Sequence, residues 1–351
     1  MMQGNKPGIY VLFLSVVLLF AAVSATDARS AKVKFIKGDQ KIDVMVGGKL
    51  FTSYQYPENM EKPFLYPVCA PDGSVITRGF PLEPGKGERT DHPHHVGLWF
   101  NHGNVNGLDF WNNSSAIPEA KKDSYGHISV REIVKVKNGK KGTLDVISEW
   151  KDNKGKSLLI ENTRYVFSGD ETSGTIDHIS TLTAVNETVT ITDNKEGMFA
   201  IRVDRAFEMP SDQPAVFTDE KGNPTTVNVL DNSGVTGMYT GSSGLKGDAV
   251  WGTTNDWVIL SGTKNNVLTT FGIWDHPKNP GYPGHSHARG YGLFSTNNLG
   301  SSVYNKDHET IVVTLQKGES LTLRHRFYIQ SGSELTPEKA DMIFKEFSTL
   351  Y

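Results

Sequence analysis

The chain has 351 residues, with 39 acidic against 36 basic side chains and a formal net charge of -3, so it lacks the basic stripe that binds phosphate backbones, and nucleic acid is excluded as a partner. A single cysteine, Cys69, rules out an internal disulfide framework and leaves stability to packing. The length is about twice that of a usual domain, within the range that large β-sandwiches and barrels occupy as one unit.

The N-terminal segment carries Lys6, an apolar run from Ile9 through Val23, and the small-residue tripeptide Val23-Ser24-Ala25. This is the three-part pattern of a secretory signal. The expected organisation is a signal peptide over 1–25, cleaved after Ala25, and a single β-sandwich domain over 26–351. The protein is expected to be exported, periplasmic or secreted. No comparable apolar run follows, so no membrane association is expected after cleavage.

From Lys32 onward, short runs of β-branched and aromatic residues alternate with Gly, Asn and Asp, the pattern of antiparallel strands and tight turns. Lys41 to Val46 and Lys49 to Tyr54 flank Gly47-Gly48, a two-residue hairpin turn that tolerates positive φ. Pro71-Asp72-Gly73 turns the chain between Tyr66 and Val75. Ile128 to Val136, Leu144 to Trp150 and Leu158 to Phe167 form an expected meander. Strands resume at Thr175 to Thr183, Met198 to Val203, Trp257 to Leu260, Val267 to Trp274, Thr310 to Leu315 and Leu321 to Ile329. The stretch from Gly222 to Gly247, rich in Gly, Asn and Ser, reads as a long loop. One helix is expected near the C-terminus: Thr336 caps it, Pro337 fits its first turn, and Ala340, Ile343, Phe344 and Phe347 make one apolar face. It is expected to strap onto the sheet.

The densest chemistry lies in Asp91-His92-Pro93-His94-His95, followed by Gly97-Leu98-Trp99-Phe100, His102, Asn106 and Asp109-Phe110-Trp111. Imidazoles titrate near neutral pH, donate and accept hydrogen bonds and ligate metals, so a cluster marks a site. In extended backbone His92 and His94 share one face and His95 the other. A second cluster holds His285, His287 and Arg289, whose guanidinium fork suits a carboxylate, phosphate or polyhydroxy ligand. Between them Glu196 opens a strand, and Arg202 lies six residues along it on the same face. Trp99, Phe100, Phe110 and Trp111 read first as core. No cofactor is expected; zinc held by His92, His94 and His102 is a separate alternative, although their spacing matches no motif with enforced geometry.

The string Asp91-His92-Pro93-His94-His95 through Trp99-Phe100, with Val105-Asn106-Gly107 and Asp109-Phe110-Trp111, resembles the DUF6807 family of exported bacterial proteins, often labelled methane oxygenase PmoA-like. Glu196-Gly197-Met198 to Arg202 and His287-Ala288-Arg289 to Phe294 are similar to its later blocks. The likeness runs from about Val33 to Tyr328. Methane oxidation does not follow from the label, because the subunit of that name is an integral membrane protein and this mature chain has no spanning run. The resemblance implies an all-β fold, a large antiparallel β-sandwich similar to the galactose mutarotase-like supersandwich, with one C-terminal helix. In that fold a histidine acid and a carboxylate base work across a sugar ring, and His94 or His287 with Glu196 are the nearest counterparts by chemistry.

The resulting expectation is a carbohydrate-active enzyme of epimerase, lyase or hydrolase type, with a sugar or glycan as its small-molecule substrate. His94, Glu196 and His287 carry the proton transfer; His92, His95, His102, Asn106, Asp109, Arg202 and Arg289 bind substrate, and Trp99 or Trp111 stacks on the ring. Two alternatives use the same residues: a noncatalytic glycan-binding or accessory protein, and a metal-dependent enzyme using the histidine cluster.

Overall fold

The computed structural model describes residues 1, 2, 4 and 30–351, so the expected export segment lies almost wholly outside the described residues. Two eight-stranded antiparallel sheets face each other. The first runs, in spatial order, through Val33–Gly38, Lys41–Val46, Lys49–Gln55, Phe64–Val68, Leu98–His102, Gly197–Arg202, Leu293–Asn297 and His285–Ser286. The second runs through Met238–Gly241, Trp257–Lys264, Val267–Asp275, Ser320–Ser331, Ser173–Ala184, Ser157–Gly169, Gly142–Asp152 and Gly126–Lys137. This is the large antiparallel β-sandwich expected from the sequence. No helix among the described residues is long and apolar enough to cross a membrane.

Local chemistry accounts for the connections. Gly47 and Gly48 both take positive φ, 59° and 87°, which joins the flanking strands in register from Val46 opposite Lys49. The meander pairs Gly126–Lys137, Gly142–Asp152 and Ser157–Gly169 in sequence. On Gly142–Asp152 buried positions alternate with half-buried ones, because one face alone meets the opposing sheet. The loop expected from Gly222 to Gly247 is interrupted by two short strands, Pro224–Val227 and Met238–Gly241, and the latter closes one edge of the second sheet.

Apolar side chains from both inner faces, among them Val44, Phe100, Phe199, Ile201, Leu260, Phe271 and Phe327, form the main core. The helix Pro337–Ser348 starts at Thr336, whose hydroxyl accepts from the Lys339 amide at 3.3 Å. It packs Ala340 and Phe347 against Trp257, Trp274 and Tyr328 on the outer face of the second sheet. The indole N–H groups of Trp274 and Trp257 donate to Ala340 O and to Asp341. The helix is therefore the expected strap, and it leaves the outer face of the first sheet free for other segments.

Candidate active site

On the first sheet, Leu98, Phe100, Phe199 and Ile201 point into the core, so the alternation of the pleat sends Trp99 and Ala200 to the other face. There Trp99, Ala200 and Leu293 meet Phe64, Tyr66, Val96 and Trp111 in a second apolar cluster. Loops rise from this floor and enclose a cavity of about 380 Å³ lined by His92, His94, His95, Asn112, Lys195, Glu196, Trp251, His287, Arg289 and Tyr291. Three segments distant in the chain thus converge, as the sequence implied. A separate cavity of about 280 Å³, lined by Phe51, Cys69, Pro71 and Asp170 among others, holds none of the expected residues.

The histidine loop is not extended. His92 takes φ 48° and its carbonyl accepts from the His95 amide at 3.0 Å. This turn corrects the strand-like alternation expected for His92, His94 and His95: all three rings reach the same cavity. His92 lies parallel to His95 at 4.7 Å and to Tyr291 at 5.3 Å, and His94 meets His95 edge-on at 4.3 Å. Gly97 ends the loop at φ 60°, where an added Cβ would sit 2.3 Å from the carbonyl oxygen of Leu65. Only glycine fits that approach.

Two buried arginines hold the loop from beneath. Arg78 donates to the backbone oxygens of Arg89, Asp91, His92 and His95 and to Asp91 Oδ1. Arg202 donates to the same Oδ1 at 2.6 Å and to His95 Nδ1 at 3.2 Å, and its guanidinium lies over the Tyr291 ring. A guanidinium only donates, so His95 Nδ1 accepts and the ring's proton sits on Nε2. Asp91 Oδ2 stands 2.7 Å from His92 Nδ1. A carboxylate held by two arginines only accepts, so His92 donates from Nδ1 and turns Nε2 outward as its unengaged nitrogen. Burial works against ionisation of Asp91, but the His92 hydrogen bond and the charges of Arg202 and Arg78 together hold its carboxyl well below the usual range.

On the opposite wall, the amide of Glu196 donates to Asn194 Oδ1 at 2.9 Å, and the turn is pinned by Asn297 Nδ2 and Tyr304 OH on the Lys195 carbonyl. Glu196 Oε2 lies 3.8 Å from His287 Nδ1. That gap exceeds a direct hydrogen bond and suits a bridging hydroxyl or water. Burial raises the Glu196 carboxyl above its ordinary value, opposed by Lys195, whose Nζ is 3.4 Å away. Burial, reinforced by Arg289 and Lys195, pushes the His287 imidazole down to about 3. His94 is pushed down to about 2 by burial and then by Lys62, and its Nε2 is buried with no partner among the described residues. Lys62, itself lowered to about 7 by burial, donates to the His94 carbonyl at 2.7 Å. The cavity therefore combines neutral imidazoles, one carboxyl raised by burial, and one histidine oriented by a carboxylate.

Not every expected residue lies there. His102 is buried in its strand, donates from Nε2 to the Thr192 carbonyl at 2.9 Å and does not line the cavity. Asn106 sits in a turn at φ 51°, bonded to the backbone of Thr188 and Thr190. Asp109 accepts from the amides of Trp111 and Asn112 and from Asn112 Nδ2, so it positions Asn112 on the cavity wall instead of meeting a ligand. Arg202 acts from behind His95, fully buried. Trp99 and Trp111 are buried at 2% and 0% exposure; the aromatic surface on the wall belongs to Trp251 and Tyr291. Among the described residues no group of three or more His, Cys, Asp or Glu side chains is placed to hold a metal ion, and His102 does not join His92 and His94.

Arg78, Lys62, Lys195, Asn112, Trp251 and Tyr291 were not among the expected site residues. Tyr291, Lys195 and Asn112 adjoin the clusters in sequence; Arg78 and Trp251 carry no local signal and reach the site through folding alone.

Similar solved structures include an α-galactosidase from Lactobacillus brevis, at 8% identity and TM-score 0.36 over 86% of this chain and 40% of that one. A galactose mutarotase related enzyme from Lactobacillus acidophilus matches at 11% identity and TM-score 0.27 over 86% of this chain and 97% of that one. A galactose mutarotase-like protein from Clostridium acetobutylicum matches at 11% identity and TM-score 0.31, over 86% and 95%. The chain spans about two fifths of the length of the α-galactosidase. Likeness at this level assigns no residue a role. No curated protein matches the sequence. The family model for DUF6807, a family of unknown function, matches residues 41–345, and the chain belongs to that family.

Proposed function

We propose that the protein is an exported carbohydrate-active enzyme that moves a proton at a sugar bound in the histidine-lined cavity, by epimerase, lyase or hydrolase chemistry. The observation that carries this reading is the Asp91–His92 pair at 2.7 Å, with Asp91 locked by Arg78 and Arg202, on the same cavity as Glu196 and His287. A histidine whose Nδ1–H is held by a fixed carboxylate presents Nε2 as a base, and the imidazolium it becomes is stabilised by that carboxylate. Glu196, its carboxyl raised by burial, is the proton donor of this reading. His94, His95 and His287, kept neutral, are hydrogen-bonding groups for hydroxyls, and the exposed Trp251 offers a flat apolar surface to a sugar ring. The cavity volume of about 380 Å³ suits a mono- or disaccharide unit. This reading shifts the acid-base role expected for His94 and His287 to His92 and keeps Glu196, with His94 and His287 left to bind hydroxyls.

The exposed Trp251 also favours the noncatalytic glycan-binding alternative, and one experiment separates the two. The protein is incubated in D₂O with a panel of neutral and acidic mono- and oligosaccharides and followed by NMR. The enzyme reading expects product, accelerated anomer exchange or deuterium incorporation with at least one sugar. Binding unaccompanied by any of these would establish the accessory role instead.

A further inference from the structure

The Arg289 guanidinium lies 5.6 Å from the Trp251 ring centre and 5.7 Å from that of Tyr291, on the cavity wall. Among the described residues it has no hydrogen-bond or ion-pair partner. The carboxylates of the same cavity are already engaged: Asp91 by Arg78 and Arg202 at 3.0 and 2.6 Å, and Glu196 by Lys195 at 3.4 Å. Arg78, Arg202 and Lys195 thus each have a carboxylate partner, and Arg289 does not. The charge without a counterpart is that of Arg289. Stacking on two aromatic rings restrains a guanidinium while leaving its N–H fork unspent, the arrangement that receives a planar or tetrahedral oxyanion through paired hydrogen bonds.

From this geometry we propose that the ligand is an acidic sugar, whose carboxylate or sulfate ester is received by Arg289 while the ring lies against Trp251 and Tyr291. This rests on the carbohydrate reading above and names the substrate class within it. A neutral ligand would leave Arg289 facing the cavity with only water to satisfy it. An anionic ligand would give the Arg289 guanidinium the partner that the chain does not supply.

The test is calorimetric titration of the full chain with methyl glucuronide, methyl galacturonide and galactose 6-sulfate, each beside its neutral parent, at low and high salt. The inference expects at least one acidic sugar to bind about tenfold or more tightly than its parent, with the preference shrinking as salt rises; the uronide and sulfate arms identify the anion. Arg289→Ala, checked for folding by circular dichroism, is expected to abolish that preference, and Arg289→Lys to restore only part of it. Equal binding of acidic and neutral sugars, or an acidic preference that survives Arg289→Ala, overturns the inference while the carbohydrate reading stands. If no sugar of either kind is bound or turned over, both fall together.

Discussion

At the scale of single residues, the site turns on how one carboxylate is shared. Asp91 accepts from two guanidinium groups through Oδ1 and from His92 through Oδ2, so its charge neutralises the arginines and sets the His92 tautomer together. Asp91→Asn therefore acts twice. It leaves Arg78 and Arg202 short of an anion, lowering stability by roughly 2 kcal/mol as read from denaturant unfolding, and it frees the His92 ring to flip, which lowers turnover further than the stability loss explains. Unchanged stability in this variant would show that the arginines do not depend on Asp91. The histidine cluster was legible because Asp91, His92, His94 and His95 adjoin in the chain. The assignment of roles within it was not, because Arg78 and Arg202, which decide which nitrogen faces the cavity, reach the loop from the segment after Phe64–Val68 and from the strand Gly197–Arg202. His102 shows the converse: it belongs to the same dense run, yet the pleat turns it to the core side of its strand, where the Thr192 carbonyl accepts its Nε2–H.

At the scale of elements, the loop from Arg89 to Gly97 is shaped by its glycine and its arginine together. Gly97→Ala drives a methyl into the Leu65 carbonyl and forces an alanine to φ 60°; the expected loss is about 3 kcal/mol, visible as a lower midpoint of thermal or denaturant unfolding. A midpoint within about half a kcal/mol of the parent would mean that the loop has room to shift. The long hairpins were read from the sequence because one buried face gives alternation, as on Gly142–Asp152. The strands under the cavity hide it: Leu98–His102, Gly197–Arg202 and Leu293–Asn297 are buried at every position, since loops cover the face that the sandwich leaves outside. For the same reason the expected continuation from His285 to Arg289 on one face held only for His287 and Arg289. His285 stacks on Tyr304 at 5.1 Å and does not line the cavity.

At the scale of the whole molecule, the folded state is poor in charged imidazole. Nine of the eleven histidines are lowered by burial, His94 to about 2, His178 and His287 to about 3 and His102 to about 4 among them. Lowered histidines stay neutral in the fold while those of the unfolded chain protonate below their ordinary value of 6.5, so their contribution is complete above that pH and is lost as the pH falls below it. Four carboxyls raised by burial, Glu161, Glu196, Glu208 and Asp275, the last to about 6, act in the opposite sense. The histidines outweigh them between pH 6.5 and 5. The melting temperature is therefore expected to fall on acidification from pH 7 to pH 5, with a slope of roughly 1.4 kcal/mol per pH unit for each extra proton taken up on unfolding. A flat profile across that range would contradict the buried, neutral state of these rings.

The central claim, that His92 and Glu196 move protons in one cavity, is tested most directly by turnover of the sugar found in the NMR screen, compared between the parent protein and folded His92→Gln and Glu196→Gln variants. Each replacement is expected to lower kcat by about 10²-fold or more, with binding of the sugar largely retained. Parent-level kcat in either variant would contradict the claim.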